Sequence, residues 1–256
     1  MAVIYGINAV AEALKSRGRA FEYVAVARER HDQRLQRIIA DCKSNGIAVR
    51  STPRVDLDRL AATQSHQGVV AVTSEKEYVG AEDLLAQRRG ERAFIVVLDG
   101  VEDPHNFGAI IRTADAAGVD GIVIPERRAV GVTGTVAKAS AGATEHLPVA
   151  RVTNISRTIE ELKRNNVWTI GLDERGKQSY DEVDYTTDCA LVLGAEGHGL
   201  HEHVREHCDF VVHIPMLGQV PSLNVSVAAA VVMYEAARQR RKKSTTEDTE
   251  VHRKKR

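Results

Sequence analysis

The sequence predicts an α/β protein with two domains, the second built on a mostly parallel sheet. From residue 93 onward, apolar runs rich in Val and Ile alternate with segments of helical periodicity. Continuous runs of this kind are typical of strands buried on both faces, as in parallel sheets covered by helices. A similar alternation over residues 3–74 predicts a small α/β domain in front of it. The polar segment 75–92 is expected to connect the two.

The N-terminal domain is predicted to contain three helices and three strands. Apolar residues spaced three and four apart indicate the helices, and Gly18 and Gly46 are expected to end the first two. Short β-branched runs indicate the strands. The predicted helices cover residues 5–18, 32–46 and 55–63, and the predicted strands cover residues 21–27, 47–52 and 67–74.

The C-terminal domain, residues 93–240, is predicted to repeat strand and helix. Ligands of such sheets bind beyond the carboxyl ends of the strands. The loops that follow the strands at residues 99, 193 and 213 are therefore the expected site. Residues 241–256 are polar and basic, and we expect them to be disordered. The predicted strands cover residues 94–99, 121–126, 168–173, 190–197 and 210–216. One helix is predicted to start at Asn106, which is its expected cap, and two more are predicted over residues 152–166 and 222–240.

Composition and charge favour a cytoplasmic protein with a polyanionic partner. The chain is 43% hydrophobic and 27% charged, and no apolar run reaches the roughly 20 residues that span a membrane. Its three well-separated cysteines suggest no disulfide framework. The net charge of zero divides into +4 over residues 1–74, −1 over residues 75–92, −9 over residues 93–237 and +6 over residues 238–256. Basic ends suit nucleic acid, and ordinary solvated surface is the alternative.

The three loops carry polar residues that a turn alone does not require. Arg112 directly follows the apolar stripe of a helix, and Glu196 lies between the glycines of a loop that is neither a Walker A loop nor a GxGxxG fingerprint. Ser222 and Asn224 lie close together, and one of them is expected to cap the last helix. Apolar walls with a few polar groups also suit a small-molecule site.

A histidine-rich segment, residues 198–208, is a weaker candidate for a site. His203 and His207 are four residues apart and could share one face of a helix. The segment lacks the HExxH pattern, because Arg205 occupies the position of the second histidine. A solvated helix explains it better than a metal site, and we expect no metal.

Three ordered segments form a set of motifs. They are Asp103-Pro104-His105-Asn106-Phe107-Gly108 with Arg112-Thr113-Ala114, then Gly194-Ala195-Glu196-Gly197, then Ile214-Pro215-Met216 with Ser222-Leu223-Asn224-Val225-Ser226-Val227. Together they resemble the motifs of the SpoU branch of the SPOUT RNA methyltransferases. Residues 4–10 and 66–69 resemble the RNA-binding domain that precedes the catalytic domain in this family. Residues 140–143, 151–154 and 205–209 are similar to the branch that methylates a guanosine ribose in bacterial 23S ribosomal RNA.

The resemblance implies a fold, a cofactor and partners. It implies a C-terminal α/β domain with a trefoil knot, S-adenosylmethionine as methyl donor, RNA as substrate, and a homodimer with the active site near its interface. No membrane partner is implied. The resemblance places the catalytic set on Asn106, Arg112, Glu196, Ser222 and Asn224, and the cofactor pocket on Gly194, Ile214, Met216 and Leu223.

Transfer of a methyl group to a ribose 2′-hydroxyl suggests roles for these residues. Arg112 is expected to steer the ribose phosphate and to favour the developing alkoxide. Its guanidinium is essentially always charged, so a phosphate oxygen or water could equally take the proton. Asn106 would hold Arg112 or the ribose, and Glu196 would orient that network. Ser222 and Asn224 would fix the reacting edge.

The RNA itself is left open by the sequence. A guanosine of 23S ribosomal RNA is the expected substrate, and a transfer RNA ribose is the alternative. A non-catalytic RNA-binding protein of the same fold is the alternative from another class, and the loss of Arg112, Glu196 or Asn224 would be its signature; all three are present. The residues expected to bind RNA are Arg17, Arg19, Arg28, Arg30, Arg34 and Arg37.

Overall fold

The chain folds into two compact units, and these differ from the domains read along the sequence. The computed structural model describes residues 1–28, 32–195 and 197–253, and side chains as far as residue 242. The first unit contains Met1–Tyr78, Asp103–Arg112 and Val130–Leu147. The second contains Val79–Glu102, Thr113–Ala129 and the chain from Pro148 onward. Two segments of the predicted C-terminal domain therefore pack with the N-terminal residues.

A four-stranded sheet in the order β1-β4-β2-β3 forms the centre of the first unit. The β1–β4 and β4–β2 pairs are antiparallel and β2–β3 is parallel. One face packs on α1 and α2 around Ile4, Val24 and Leu35, and the other packs on α3 around Leu57. The elements are β1 (Ala2–Tyr5), α1 (Ile7–Ser16), β2 (Phe21–Ala27), α2 (Gln33–Ser44), β3 (Val49–Thr52), α3 (Arg54–Ala61) and β4 (Val69–Thr73).

Helix α6 (Gly134–Ala139) and a 3₁₀ turn at Ala143–Glu145 complete the first unit. The Tyr5 hydroxyl hydrogen-bonds to the Thr135 hydroxyl at 2.9 Å. A Cβ at Gly134 would lie 2.3 Å from the carbonyl oxygen of Val3, so only glycine permits this close approach. The small residues of this segment are therefore needed for packing.

A seven-stranded sheet in the order β7-β6-β5-β10-β8-β11-β9 forms the second unit. Every neighbouring pair is parallel, which confirms the predicted parallel sheet. The central strands β5 and β10 are buried along their whole length. The strands are β5 (Phe94–Asp99), β6 (Gly121–Pro125), β7 (Val149–Val152), β8 (Trp168–Leu172), β9 (Gln178–Ser179), β10 (Cys189–Gly194) and β11 (Phe210–His213).

The remaining helices are α4 (Ala81–Ala86), α5 (Pro104–Ala117), α7 (Ile155–Arg164), α8 (Glu202–His207) and α9 (Val225–Arg253). Residues 241–256 were expected to be disordered, but the backbone of α9 is helical as far as Arg253. The first half of α9 packs against the second unit through buried residues and provides the helix nucleus. Each added turn then gains backbone hydrogen bonds without needing an apolar face.

Candidate active site

A cavity of about 490 Å³ lies at the carboxyl ends of β8, β10 and β11, within the second unit. Its lining comes from residues 172–174, the described residues of 193–199, residues 213, 214 and 216, and residues 221–223, 225 and 228. Small-molecule sites commonly enclose a few hundred cubic ångströms. The cavity therefore lies at the edge of the sheet where the sequence predicts a ligand.

The loop after β10, from residue 195 to 200 and called the β10 loop below, is held by backbone hydrogen bonds at the cavity. Ala195 and Gly199 exchange backbone hydrogen bonds, both of 3.1 Å from N to O. A Cβ at Gly194 would lie 2.1 Å from the carbonyl carbon and oxygen of Gly199, so the loop tolerates no side chain there. Glu196 falls outside the described residues.

The loop after β11 contributes the other predicted cofactor residues. Ile214, Met216 and Leu223 line the cavity together with Ser222. Met216 and Leu223 are each 38% exposed, so they present apolar surface that a ligand could cover. The structure thus brings all four predicted cofactor residues, Gly194 included, to one cavity.

Asn224 caps helix α9. Its Oδ1 accepts hydrogen bonds from the backbone N–H of Ser226 at 2.9 Å and from the Ser226 hydroxyl at 2.6 Å. Its carbonyl oxygen accepts from the backbone N–H groups of Val227 and Ala228. Of the two predicted caps, Asn224 is therefore the actual one, and Ser222 is left exposed at the cavity.

Helix α5 carries Asn106 and Arg112. The prediction that Asn106 caps this helix is wrong, because the helix begins two residues earlier at Pro104. Asp103 occupies the cap position, and its Oδ1 accepts from the backbone N–H of Asn106 at 2.7 Å. Proline suits the first helical position, where its missing N–H would have no partner. Asn106 is thus a half-buried residue of the first turn.

Burial separates Arg112 from the core of helix α5. Phe107, Ile110, Ile111 and Ala114 are all fully buried, whereas Arg112 is exposed. Its charge is consequently available to a partner in solution, as a substrate-binding role requires.

An ion pair that the sequence analysis missed supports the cavity. Asp173, which is 4% exposed and lines the cavity, accepts from Nε of Arg175 at 2.7 Å and from the backbone N–H of Leu200 at 3.1 Å. Burial raises the pKa of the Asp173 carboxyl, but the Arg175 guanidinium and the backbone donors outweigh it, so the pKa lies below its usual range. The available signal was the charged turn that directly follows the strand at residues 168–172.

A second contact that the sequence analysis missed joins the end of β5 to His201, which follows the β10 loop. Asp99, the last residue of β5, accepts from both the backbone N–H and Nδ1 of His201, each at 2.9 Å. The Asp99 side chain is 8% exposed. A buried carboxylate therefore holds the C-terminal end of the β10 loop.

One of the arginines expected to bind RNA, Arg19, is buried in the first unit. Arg19 is 7% exposed, and its Nε and Nη2 atoms donate to the Glu145 carboxylate at 2.9 Å. It is therefore a structural residue, because a buried guanidinium that is fully paired cannot contact RNA. Arg30 falls outside the described residues. The exposed members of the set are Arg17, Arg28, Arg34 and Arg37.

The two N-terminal motif segments pack on each other. The side-chain oxygen of Gln67 accepts from the backbone N–H of Ile7 at 3.0 Å. His66 is fully buried and lies 2.7 Å from the Asp58 carboxylate through Nε2. These contacts therefore help to hold the domain together.

Helix α8 covers residues 202–207 of the histidine-rich segment. Nδ1 of His207 lies 2.6 Å from the carbonyl oxygen of His203, and Nε2 of His207 lies 3.3 Å from the Glu160 carboxylate. Among the described side chains, no group of three or more His, Cys, Asp or Glu is placed to hold a metal ion. Among the described helices, none has the length and apolar character needed to cross a membrane.

Comparisons with known proteins match both halves of the chain. Residues 93–234 match the SpoU rRNA methylase family, and residues 3–79 match the substrate-binding domain of RNA 2′-O ribose methyltransferases. The chain belongs to the SpoU methylase family.

Relatives of this SpoU methylase include YacO of Bacillus subtilis (strain 168), of the TrmH tRNA/rRNA methyltransferase family. It is 47% identical over 238 residues, which cover 92% of this chain and 95% of YacO. The AdoMet complex of the SpoU methyltransferase AviRb from Streptomyces viridochromogenes has a TM-score of 0.78 at 26% identity, covering 93% of this chain and 90% of AviRb. An RNA 2′-O ribose methyltransferase has a TM-score of 0.77 at 28% identity, covering 93% and 88%.

The family uses S-adenosylmethionine, and the cavity fits a molecule of this kind. Leu172, Leu193 and Ile214 supply apolar walls, and Asp173 and Ser222 supply polar groups. Gly194 also lines the cavity and contributes backbone but no side chain. The protein is an RNA 2′-O-ribose methyltransferase that takes its methyl group from S-adenosylmethionine.

Proposed function

We propose that the protein methylates the 2′-hydroxyl of a guanosine in 23S ribosomal RNA, with the cofactor in the cavity of the second unit. The observation that carries the proposal is the convergence of two predicted motifs on one cavity at the carboxyl edge of the sheet. The match of residues 93–234 to the SpoU rRNA methylase family supports ribosomal RNA as the substrate.

Gly194, Ile214, Met216 and Leu223 would hold S-adenosylmethionine. When bound, the cofactor supplies a methyl group attached to a positively charged sulfur. The three apolar side chains would cover its adenosine part, and the glycine would let backbone approach it. Alignment of reacting groups by such a pocket can lower a barrier by roughly 7–11 kcal/mol in the most favourable cases.

Arg112 would act on the RNA. Its exposed guanidinium can bind a phosphate and stabilise negative charge on the 2′-oxygen, but it cannot accept the proton, because it stays protonated. A phosphate oxygen or a water molecule would take the proton. Asn106, in the first turn of the same helix, would hold Arg112 or the ribose.

Glu196, Ser222 and Asn224 would complete the catalytic set. The exposed hydroxyl of Ser222 is at the cavity and would contact the reacting ribose. Asn224 would combine this role with its role as helix cap, and Glu196 would orient the network around Arg112.

The exposed arginines of the first unit would bind the RNA backbone. Their contribution is better tested by charge removal than by deletion of the N-terminal domain. Deletion would leave Glu145 buried without Arg19 and would perturb residues 130–147 directly. Replacement of Arg34 and Arg37 by Gln should weaken RNA binding, and more so at low salt, while S-adenosylhomocysteine binding is unchanged.

A homodimer is the assembly we propose. Apolar side chains are exposed along the loop after β11 and along α9 in the second unit: Leu217 is 100% exposed, Val220 67%, Val227 48% and Tyr234 51%. Large apolar patches on a surface commonly mark a protein interface. Sedimentation equilibrium should give twice the monomer mass, and Leu217→Asp should shift the protein towards monomer.

Radiolabelled S-adenosylmethionine tests the substrate. Unmodified 23S ribosomal RNA and unmodified transfer RNA are offered separately to the native protein, to Arg112→Ala and to Arg157→Ala. Arg157 is a matched control, since its side chain is 76% exposed on α7. Label should enter ribosomal RNA only, and Arg112→Ala should reduce turnover by roughly 100-fold or more. Label in transfer RNA alone would contradict the proposed substrate.

A further inference from the structure

His213 contains a buried nitrogen that has no partner in the protein. Among the described residues, its Nδ1 is the one buried side-chain nitrogen or oxygen that forms no hydrogen bond. A buried polar group of this kind is costly, and such groups in native proteins commonly mark a functional site. Nothing in the sequence motifs pointed to this residue.

His213 lies where a cofactor would bind. It is the last residue of β11, directly before Ile214, and it lines the cavity. Asp173, which also lines the cavity, already accepts hydrogen bonds from Arg175 and from the backbone N–H of Leu200. The His213 ring is therefore a polar group of the cavity that no described residue uses.

The buried Nδ1 selects one tautomer of the ring. A buried N–H donor without an acceptor is rarer in proteins than a buried acceptor without a donor. A ring hydrogen on Nε2 leaves Nδ1 as a buried acceptor, which is the less costly arrangement. Nε2 is not among the buried unpaired atoms, so its N–H is the group that His213 presents to a ligand.

We propose that His213 is a cofactor-binding residue, whose Nε2–H donates a hydrogen bond to an acceptor atom of S-adenosylmethionine. The inference rests on the proposed location of the cofactor in this cavity.

Calorimetric titration of the purified protein with S-adenosylhomocysteine tests the proposal without any turnover. His213→Leu should weaken binding by about two- to ten-fold, the range of one ordinary hydrogen bond. His213→Gln should bind within about two-fold of the native protein, because its amide places an N–H donor near the position of Nε2. His203→Leu, on the exposed surface of α8, is the matched control and should bind as the native protein does.

Thermal unfolding without ligand separates binding from folding. His213→Leu removes the buried unpaired nitrogen, so its Tm should equal or exceed that of the native protein. A gain or no change in Tm together with weaker binding supports a contact to the ligand. A lower Tm with unchanged binding would overturn the proposal and assign His213 a structural role.

A further variant distinguishes failure of this proposal from failure of the cofactor site. Leu223→Arg puts a charge into the cavity wall and should abolish binding of S-adenosylhomocysteine. If Leu223→Arg abolishes binding and His213→Leu does not affect it, the role of His213 is refuted alone. If neither variant affects binding, the cavity is not the cofactor site and both proposals fail. If His213→Gln binds as weakly as His213→Leu, the donated hydrogen bond is refuted.

Discussion

Replacement of Glu145 by Gln tests how strongly residues 130–147 are tied to the N-terminal domain. The side chains of Arg19 and Glu145 are only 2% and 1% exposed, and two N–H groups of the guanidinium donate to the carboxylate at 2.9 Å. Nη1 of Arg19 also donates to the carbonyl oxygen of Ser74 at 3.3 Å. The variant would leave a buried guanidinium without its counter-charge.

Removal of one partner from such a pair costs about 3–5 kcal/mol in free energy of unfolding. Urea unfolding followed by far-ultraviolet circular dichroism measures it. Arg157→Ala breaks an exposed pair on α7 and should cost no more than about 0.5 kcal/mol. The double variant Arg19→Met with Glu145→Leu should recover most of the loss, because an apolar pair removes the buried charge as well. A loss for Glu145→Gln no larger than for Arg157→Ala would refute the reasoning.

Three further predictions follow from the second unit. Gly194→Ala should abolish binding of S-adenosylhomocysteine in calorimetry, because its Cβ would lie 2.1 Å from backbone, whereas Gly218→Ala, with nothing within 4 Å, should bind normally. Asn224→Ala should lose about 1 kcal/mol of stability to chemical denaturation. Asn224→Asp keeps the capping oxygen and should lose methylation only. Equal methylation activity of Asn224→Asp and the native protein would contradict the catalytic role of Asn224. Burial raises the pKa of Asp209, but hydrogen bonds from Lys163 and Thr169 outweigh it and lower the pKa, so its stabilising effect is present near neutral pH and lost in acid. Asp209→Asn should therefore lower Tm at about pH 7, with a difference that narrows towards about pH 3, and a constant difference would be inconsistent with this assignment.

Much of the fold could be predicted from local sequence. The strand predicted over 21–27 is β2 itself, and the helix predicted from Asp32 begins there, because the Asp32 side chain accepts from two backbone N–H groups of the first turn. Strand β1 was missed, since its four residues run directly into the helix predicted from Tyr5. Gly6, at φ 96°, makes the turn between them. Strand β9, with two residues, is too short to give a pattern.

The composition of the two units could not be predicted, because it depends on contacts distant in sequence. Arg19 and Glu145 are separated by 126 positions, and each alone has the appearance of a surface charge. Asp99 and His201 are likewise brought together by the sheet. The loops of the cavity were predicted because the carboxyl ends of parallel strands share one edge, whereas its individual residues were implied by the family resemblance. His213 was not, since the unpaired state of its Nδ1 is visible only in the folded chain. The trefoil knot was implied by family resemblance alone and does not follow from periodicity.

The central claim, methyl transfer to a guanosine ribose by a site that includes Arg112, is tested most directly by mass spectrometry of nucleosides. Unmodified 23S ribosomal RNA is incubated with S-adenosylmethionine and the protein, digested to nucleosides, and compared with the products from Arg112→Ala. The account predicts 2′-O-methylguanosine with the native protein and little or none with the variant. A methyl group on a base, or an undiminished yield with Arg112→Ala, would contradict it.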